Sequence, residues 1–350
     1  MATIILHAGM PKTGSTSVQR WVIDNAPRLR QQHGIVVLVA KSRSPHNPAA
    51  DLRLEPFESG DVNSGEIIKA WLAAERSPAL ALRFVEDLSR FADHASTVLV
   101  TAEALSQVFW RVDEPFLLAF EKLARHHDVR VAYYVRPQHT ALEAGWREGG
   151  YKEPRRGPSE WVVAQSQRGL HYLPTLDAVR KIAPNVALEM RPFLPELLDG
   201  TSPVEDFVRR FLSLDEVCRD LHVNPGLPLE LVNLLRLAPE GWFWTRANVE
   251  NYPERYPRWK FTALFDDLEI RESTKIRRSR RLLQQYCHEV FEQENQTLIR
   301  CLEWPIQHFV PPVDELDRTA KIGELDALWQ PDASQAERAL LYHALRAALT

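Results

Sequence analysis

The chain has 350 residues, of which 45% are hydrophobic and 26% are charged, and its formal net charge is −4. This composition is typical of a globular protein with one large or two modest domains, and it excludes a polycation that binds nucleic acid through its overall charge. We therefore expect no nucleic-acid partner. The three cysteines include no CxxC pair, and their spacing predicts neither a zinc site nor a disulfide framework.

The sequence gives no indication of a membrane span. No stretch approaches the roughly 18 consecutive apolar residues that cross a bilayer. The N-terminus enters an apolar strand directly, without the basic segment that opens a signal peptide. We therefore expect a soluble, cytoplasmic protein, whose oligomeric state the sequence does not indicate.

The first half of the chain alternates compact apolar runs with segments of helical periodicity. Five runs predict strands: "TIILHA" (3–8), "GIVVLVA" (34–40), "STVLVTAE" (96–103), "DVRVAYYVR" (128–136) and "NVALEMRPF" (185–193). Helices are predicted from Ser15 to about residue 26 and over about 80–93 and 115–127, with Pro27 breaking or restarting the first. This alternation predicts an α/β fold of three layers, in which helices flank a central parallel sheet of about five strands.

Two other regions differ in composition. The stretch 41–64 is rich in Pro, Ser, Asn and charged residues and predicts a long loop or lid. Past about residue 215 the strand patterns end, and helical periodicity recurs over 227–239, 280–304 and 335–349. We predict an α/β core over 1–215 and a helical cap over 216–350, packed on the core as one domain.

The segment "HAGMPKTGSTS" (7–17) gives the strongest indication of a binding site. A strand, a turn containing glycine, and a helix that starts with Ser15, Thr16 and Ser17 form an anion site, because unpaired N–H groups and the helix dipole point at the turn. The Walker A loop that binds nucleoside triphosphates has the order GxxxxGK[ST]. Here Lys12 precedes Gly14, so the Walker A order is not matched.

The string "GMPKTGSTSVQ" resembles the 5′-phosphosulfate-binding loop of the sulfotransferases that use 3′-phosphoadenosine 5′-phosphosulfate (PAPS), a loop of the form PK-[ST]-G-[ST]-[ST]. The resemblance implies a P-loop NTPase-like sulfotransferase fold, PAPS as co-substrate and no metal ion. It assigns to Lys12 the stabilisation of the leaving phosphate, a role that suits a positive charge. The residues implied in cofactor binding are Pro11, Lys12, Thr13, Gly14, Ser15, Thr16 and Ser17.

The resemblance, which runs from about residue 3 to 240, implies a second phosphate contact. In the family, an arginine at a strand end and a serine eight residues later hold the 3′-phosphate. Arg136 matches the arginine, whereas Ala144 stands at the serine position. Losing one hydroxyl contact costs on the order of 0.5–1.5 kcal/mol, so complete loss of binding does not follow from Ala144, and the sequence does not decide between weaker binding and its loss.

Sulfuryl transfer to a hydroxyl or amine needs a positioned base, and two residues are candidates. His46 lies in the polar stretch 41–64, where a solvent-exposed loop histidine is the alternative. Glu103 closes the third predicted strand, where a carboxylate favoured by a helix N-terminus is the alternative. His7 ends the first strand; it could reach the cofactor or be a buried histidine bonded to backbone.

The sequence thus predicts an enzyme, a PAPS-dependent sulfotransferase. Its acceptor would be a small molecule or glycan, with a saccharide the leading candidate. The aromatic segment 241–259 could stack on sugar rings, but aromatic packing between helices is the commoner explanation of such a segment. One alternative is a catalytically impaired, sulfotransferase-like protein that binds a nucleotide or glycan, in keeping with Ala144. The other is a nucleotide kinase or NTPase, against which stand the position of Lys12 and a third strand that ends in Thr-Ala-Glu without an aspartate.

Overall fold

The computed structural model describes residues 1–10, 13–42, 52–58, 78–150, 156–215, 229, 232–233, 274–305 and 321–330. These residues form an α/β fold with a helical C-terminal part. The strands are β1 Thr3–His7, β2 Ile35–Ser42, β3 Leu52–Pro56, β4 Thr97–Thr101, β5 Asp128–Val135 and β6 Ala187–Pro192. The helices are α1 Ser15–His33, α2 Pro78–Ala92, α3 Ser106–Trp110, α4 Glu114–Ala124, α5 Gln138–Glu148, α6 Pro158–Ser166, α7 Tyr172–Ile182, α8 Pro203–Leu212, α9 Thr274–Leu302 and α10 Leu325–Leu328.

Within the described residues the six strands form one sheet in the order β3-β2-β4-β1-β5-β6. The five predicted strands are confirmed, and they are parallel to one another. The sheet is nevertheless mixed, because β3 runs antiparallel to β2. The prediction of a parallel sheet is therefore correct for five strands and wrong for the sixth.

The sixth strand lies inside the stretch that was predicted to be a loop. In β3, "LRLEP", leucines alternate with charged residues, as expected for a strand with one buried face. Leu54 is buried, and its N–H donates to Asp87 Oδ2 at 2.9 Å. The loop prediction over 41–64 is thus wrong for residues 52–56, while 43–51 and 59–64 lie outside the described residues.

Helices pack on both faces of the sheet. On one face, residues of α1 and α8 surround Ile5 and Tyr134 in a single buried cluster. Tyr133 points to the opposite face, because successive strand residues alternate. There its ring meets Phe109 of α3 at 5.9 Å, and α2 packs against α4 through Phe84 and Phe116. The central β1 is therefore buried on both sides, as the compact apolar run predicted.

Pro27 lies inside α1, so the prediction that it breaks this helix is wrong. Proline removes one N–H donor and crowds the carbonyl four residues earlier. The helix continues past it because Trp21, Val22 and Leu29 bury against the sheet. It ends at Gly34, whose φ of 67° permits the N–H to donate to the Leu29 carbonyl.

The chain divides into two compact units. The first contains the sheet and comprises the described residues within Met1–Pro137, Gly169–Val223 and Gln293–Phe309. The second comprises those within Gln138–Arg168, Asn224–Glu292 and Val310–Thr350. In the second unit, Trp146 packs against Trp161 at 5.5 Å and against Trp329 at 5.1 Å. The predicted boundary at residues 215 and 216 remains a prediction.

The C-terminal helical prediction is confirmed by α9 for 280–302. The segment 335–349 lies outside the described residues, and 227–239 is described only at 229, 232 and 233. Among the residues that the structure describes, no helix combines the length and apolarity needed to cross a bilayer.

Candidate functional site

The candidate site lies at the carboxyl edge of the sheet, beyond the neighbouring strands β4, β1 and β5. From β1 the chain continues to β2 on one side of the sheet, whereas from β5 it continues to β6 on the other. Ligands of open α/β sheets bind at such a switch point, outside the carboxyl ends of the strands. The residues predicted to bind phosphate follow β1 and β5, the two strands that border this crevice.

The turn after β1 remains beside β5. The N–H of Ala8 donates to the Ala132 carbonyl at 2.9 Å, and that of Met10 to the Tyr134 carbonyl at 3.2 Å. Thr13 is buried, and its hydroxyl donates to the Met10 carbonyl at 2.6 Å. This bond fixes the turn from within, so the predicted role of Thr13 is restricted to its backbone. Pro11 and Lys12 lie outside the described residues.

Gly14 begins α1 in a left-handed conformation, with a φ of 73°. A Cβ here would lie 2.5 Å from Pro203 Cγ and 3.3 Å from Phe193 Cε2, so only glycine is accommodated without a shift. The first N–H groups of a helix have no acceptor within it, and those of Ser15 and Thr16 stand at this position. The arrangement can therefore stabilise an anion, with Thr16 and Ser17 half-buried beside it.

Glu103, the candidate base, contacts the turn directly. It follows β4, which lies beside β1, and its side chain is half-buried. The buried Ser15 hydroxyl donates to Glu103 Oε2 at 2.7 Å. The structure thus brings a predicted binding residue and a predicted catalytic residue together. His46, the other candidate base, lies outside the described residues.

Arg136 is held at the end of β5 by two aromatic residues. Its guanidinium carbon lies 4.9 Å from the centroid of the Phe193 ring, within the range of a cation–π contact. The Tyr172 hydroxyl donates to the Arg136 carbonyl at 2.8 Å. The same Phe193 ring borders Gly14, so one ring lies beside both predicted phosphate contacts.

His7 lies beneath the turn and is completely buried. Its Nδ1 is 2.7 Å from the Thr101 hydroxyl of β4. Burial lowers the pKa of His7 to about 3, so the ring is neutral at physiological pH. Of the two interpretations open from the sequence, burial is confirmed, but the partner is a side chain and not the backbone.

A second buried polar group, Asp206, holds the helix that packs against the turn. Asp206 of α8 accepts hydrogen bonds from the Tyr134 hydroxyl and from Arg191 Nη2, each at 2.5 Å, and from the Asp199 N–H at 2.6 Å. Burial and the neighbouring Asp206 raise the pKa of Tyr134 well above its usual value. Burial is the largest single influence on Arg191 and opposes its charge, but the hydrogen bond and charge of Asp206, together with Tyr134 and Asp199, outweigh it and raise the pKa of the guanidinium. This network holds α8, whose Pro203 borders Gly14.

Several contributing residues were not predicted as site residues. Phe193 ends the fifth predicted strand, in the "RPF" string, and directly follows β6 in the structure, so its position in the chain was a usable signal. Tyr172 and Thr101 gave no such signal. Ala144 lies on α5, in the second unit. In the described part of the chain, no three His, Cys, Asp or Glu side chains form a group that could hold a metal ion.

Comparison of the chain with protein-family models, with curated proteins and with solved structures gives no match in any of the three.

Proposed function

We propose that the chain is a PAPS-dependent sulfotransferase. The observation that carries the proposal is the position of Phe193, which borders both Gly14 of the turn and the guanidinium of Arg136. A helix N-terminus and an arginine beside the same ring suit a nucleotide that carries separate anionic groups on its 5′ and 3′ sides. The resemblance of the loop sequence to the sulfotransferase loop supports the same substrate.

The residues of the site have distinct roles in this proposal. The acceptor hydroxyl attacks sulfur in line, Glu103 accepts its proton, and the bond from sulfur to the bridging phosphate oxygen breaks. The turn amides and Lys12 neutralise the charge that develops on the leaving adenosine 3′,5′-bisphosphate. Arg136 holds the 3′-phosphate. The hydrogen bond from Ser15 orients Glu103, and a saccharide is the first acceptor class to test.

The test is a calorimetric titration with adenosine 3′,5′-bisphosphate and, separately, with ATP and magnesium. We expect the bisphosphate to bind and ATP not to bind. Arg136→Ala removes a charged contact worth about 1.5–3 kcal/mol and should weaken bisphosphate binding about ten- to hundredfold. Lys12→Ala should weaken it as well.

Matched controls make this test specific to the site. Arg130→Ala removes an arginine from the same strand, where it pairs with Asp128 at 2.8 Å near the opposite edge of the sheet. Lys122→Ala removes a lysine from the last turn of α4. Both controls should bind the bisphosphate as the wild type does. Equal affinity in the wild type, Arg136→Ala and Lys12→Ala would contradict the assignment of the site.

One observation favours a second candidate, the nucleotide kinase or NTPase. In P-loop NTPases a carboxylate on a strand beside the loop assists magnesium binding. Glu103 supplies a carboxylate bonded to the turn, at the end of a strand that lacks the usual aspartate. Gly9 and Gly14 also have the GxxxxG spacing, with Ser15 in place of the Walker lysine. Magnesium-dependent ATP hydrolysis, with no affinity for the bisphosphate, would establish this alternative.

A further inference from the structure

His7 presents a hydrogen-bonding atom to the underside of the turn. Among the described residues, its buried Nε2 has no hydrogen-bond partner. This atom lies 3.1 Å from the point that a Cβ on Gly9 would occupy. Thr13 Oγ1 and Ser15 Cβ lie 3.2 and 3.3 Å from the same point. The imidazole edge therefore faces the inside of the turn, between its first glycine and the start of α1.

The surroundings of the ring are compatible with a proton on Nε2. Because the imidazole is neutral, only one of its nitrogens carries hydrogen. The Thr101 hydroxyl can donate to Nδ1 across their 2.7 Å contact, which leaves the hydrogen on Nε2. The hydroxyl hydrogen of Thr13 is directed to the Met10 carbonyl, so Thr13 Oγ1 offers lone pairs to its other neighbours. A donor on His7 thus stands opposite an acceptor on the turn.

The remaining contacts of His7 are ring–ring contacts, which do not use Nε2 as a donor or an acceptor. Its ring lies 5.0 Å from Phe207 and 6.0 Å from Tyr134. Buried polar atoms almost always have partners, and one left without a partner destabilises the protein. A nitrogen without a partner directed at a candidate anion site therefore indicates a bond that forms when the site is filled.

We propose that His7 is a positioning residue of the anion site: when the turn binds an anion, Nε2–H donates to Thr13 Oγ1 and fixes the turn in its bound form. The inference rests on the proposed function only in requiring that the turn binds an anion. His7 acts through the turn and does not touch the substrate.

The first test compares the wild type with His7→Phe, which retains the ring and removes both nitrogens. We expect affinity for adenosine 3′,5′-bisphosphate to fall about two- to tenfold, the value of one neutral hydrogen bond. The urea midpoint of the unliganded protein should change little, because removal of the Nε2 atom without a partner is offset by the buried Thr101 hydroxyl, which loses Nδ1. His7→Gln places an amide near the position of Nε2 and should restore part of the affinity. A purely structural role predicts the opposite result, lower stability with unchanged affinity.

His127→Phe is the matched control. His127 is also buried, and within the described residues its Nδ1 has no hydrogen-bond partner. It precedes β5, at the opposite edge of the sheet from the turn. This variant should bind the bisphosphate as the wild type does. An equal loss of affinity in both variants would mean that the loss reflects general damage to the fold, and would overturn the inference.

A spectroscopic test addresses the hydrogen bond itself. In protein with ¹⁵N-labelled histidine, we expect His7 to carry its proton on Nε2, and the Nε2 resonance to shift when the bisphosphate or inorganic pyrophosphate is added. A proton on Nδ1, or a resonance that does not respond to a bound anion, would overturn the inference.

The two anions separate failure of this inference from failure of the proposed function. If pyrophosphate binds and the bisphosphate does not, the nucleotide assignment fails, and the variants are compared with pyrophosphate. If the wild type and His7→Phe bind that anion equally, the role of His7 is refuted while the anion site stands. If neither anion binds, both proposals are wrong.

Discussion

Two buried polar groups at the carboxyl edge of the sheet differ in how completely their hydrogen bonds are made. Asp206 accepts from a hydroxyl, a guanidinium and a backbone N–H, so its carboxylate is well satisfied. His7 has a partner for Nδ1, but Nε2 has none in the described part of the chain. A satisfied buried network fixes a structure, whereas an incomplete one leaves a donor available for a ligand-dependent bond. We therefore expect substitutions at Asp206 to affect stability and those at His7 to affect binding.

The largest effect should follow from Asp206→Ala. The substitution leaves the Tyr134 hydroxyl and the Arg191 guanidinium buried without their carboxylate. Removing one partner of a buried ion pair costs about 3–5 kcal/mol, which we expect as the loss in free energy of unfolding by urea. Asp199→Ala is the control, because its carboxylate is 52% exposed and its N–H still reaches Asp206. This control should lose less than about 1 kcal/mol.

The comparison would be broken if Asp206→Ala kept its stability and lost bisphosphate affinity instead. Asp206 would then belong to the binding site, and the contrast with His7 would disappear.

Gly14→Ala should impair both stability and binding. A non-glycine residue in the left-handed conformation costs about 1–3 kcal/mol, and the new Cβ would also meet Pro203. Gly34→Ala is a close control, because its φ is 67° and its Cβ would meet only the Ser96 side chain, at 2.9 Å. Calorimetry and urea unfolding should show that Gly34→Ala is destabilised but binds the bisphosphate normally. Normal binding by Gly14→Ala would mean that the turn does not hold the ligand.

The buried state of His7 predicts a pH dependence of stability. Burial lowers the pKa of His7 from 6.5 to about 3. Between these two pH values, His7 is therefore protonated in the unfolded chain and neutral in the folded protein. The contribution is fully present above pH 6.5 and is lost as the pH falls towards 3, at a rate approaching 1.4 kcal/mol per pH unit, roughly the value for one proton. Tyr134 beside the ring does not titrate in this range, because burial raises its pKa.

Urea unfolding at pH 7.5, 6 and 5 measures this slope. His7→Phe should lose stability less steeply than the wild type between pH 6 and 5. If stability falls equally steeply with pH in the wild type and in His7→Phe, His7 is protonated in the folded state. The ring would then not be a neutral donor, and the contrast with Asp206 would fail.

The sequence predicted the five parallel strands because strands buried on both faces are compact apolar runs, and this signal is local. It missed β3 because an edge strand buries one face only, and the alternation in "LRLEP" is short and stands in a polar, proline-rich stretch. The prediction that Pro27 breaks α1 was wrong because the burial of Trp21 and Leu29 outweighs the low helix propensity of proline. Both errors arise because contacts between distant parts of the chain, and not local composition, decide the structure of these segments.

In the candidate site, Gly14, Glu103 and Arg136 could be proposed from sequence because each lies at or just after the end of a predicted strand. Their neighbours could not. The contact of His7 with Thr101 spans 94 positions, and that of Tyr172 with Arg136 spans 36. Such pairs depend on the order of strands in the sheet, which no local pattern encodes. Phe193 followed a strand and could have been proposed, but only the structure shows that its ring borders both anion-binding groups.

The smallest expected effect concerns Ala144, where the sulfotransferase pattern has serine. Ala144→Ser should increase affinity for adenosine 3′,5′-bisphosphate about two- to tenfold, because a hydroxyl contact to a 3′-phosphate is worth about 0.5–1.5 kcal/mol. Ala141→Ser adds a hydroxyl to the same helix one turn earlier and should change nothing. Adenosine 5′-monophosphate, which has no 3′-phosphate, should bind the wild type and Ala144→Ser equally. An equal gain for both nucleotides would show that the new hydroxyl does not contact the 3′-phosphate. The alanine at position 144 would then not weaken the 3′-phosphate contact.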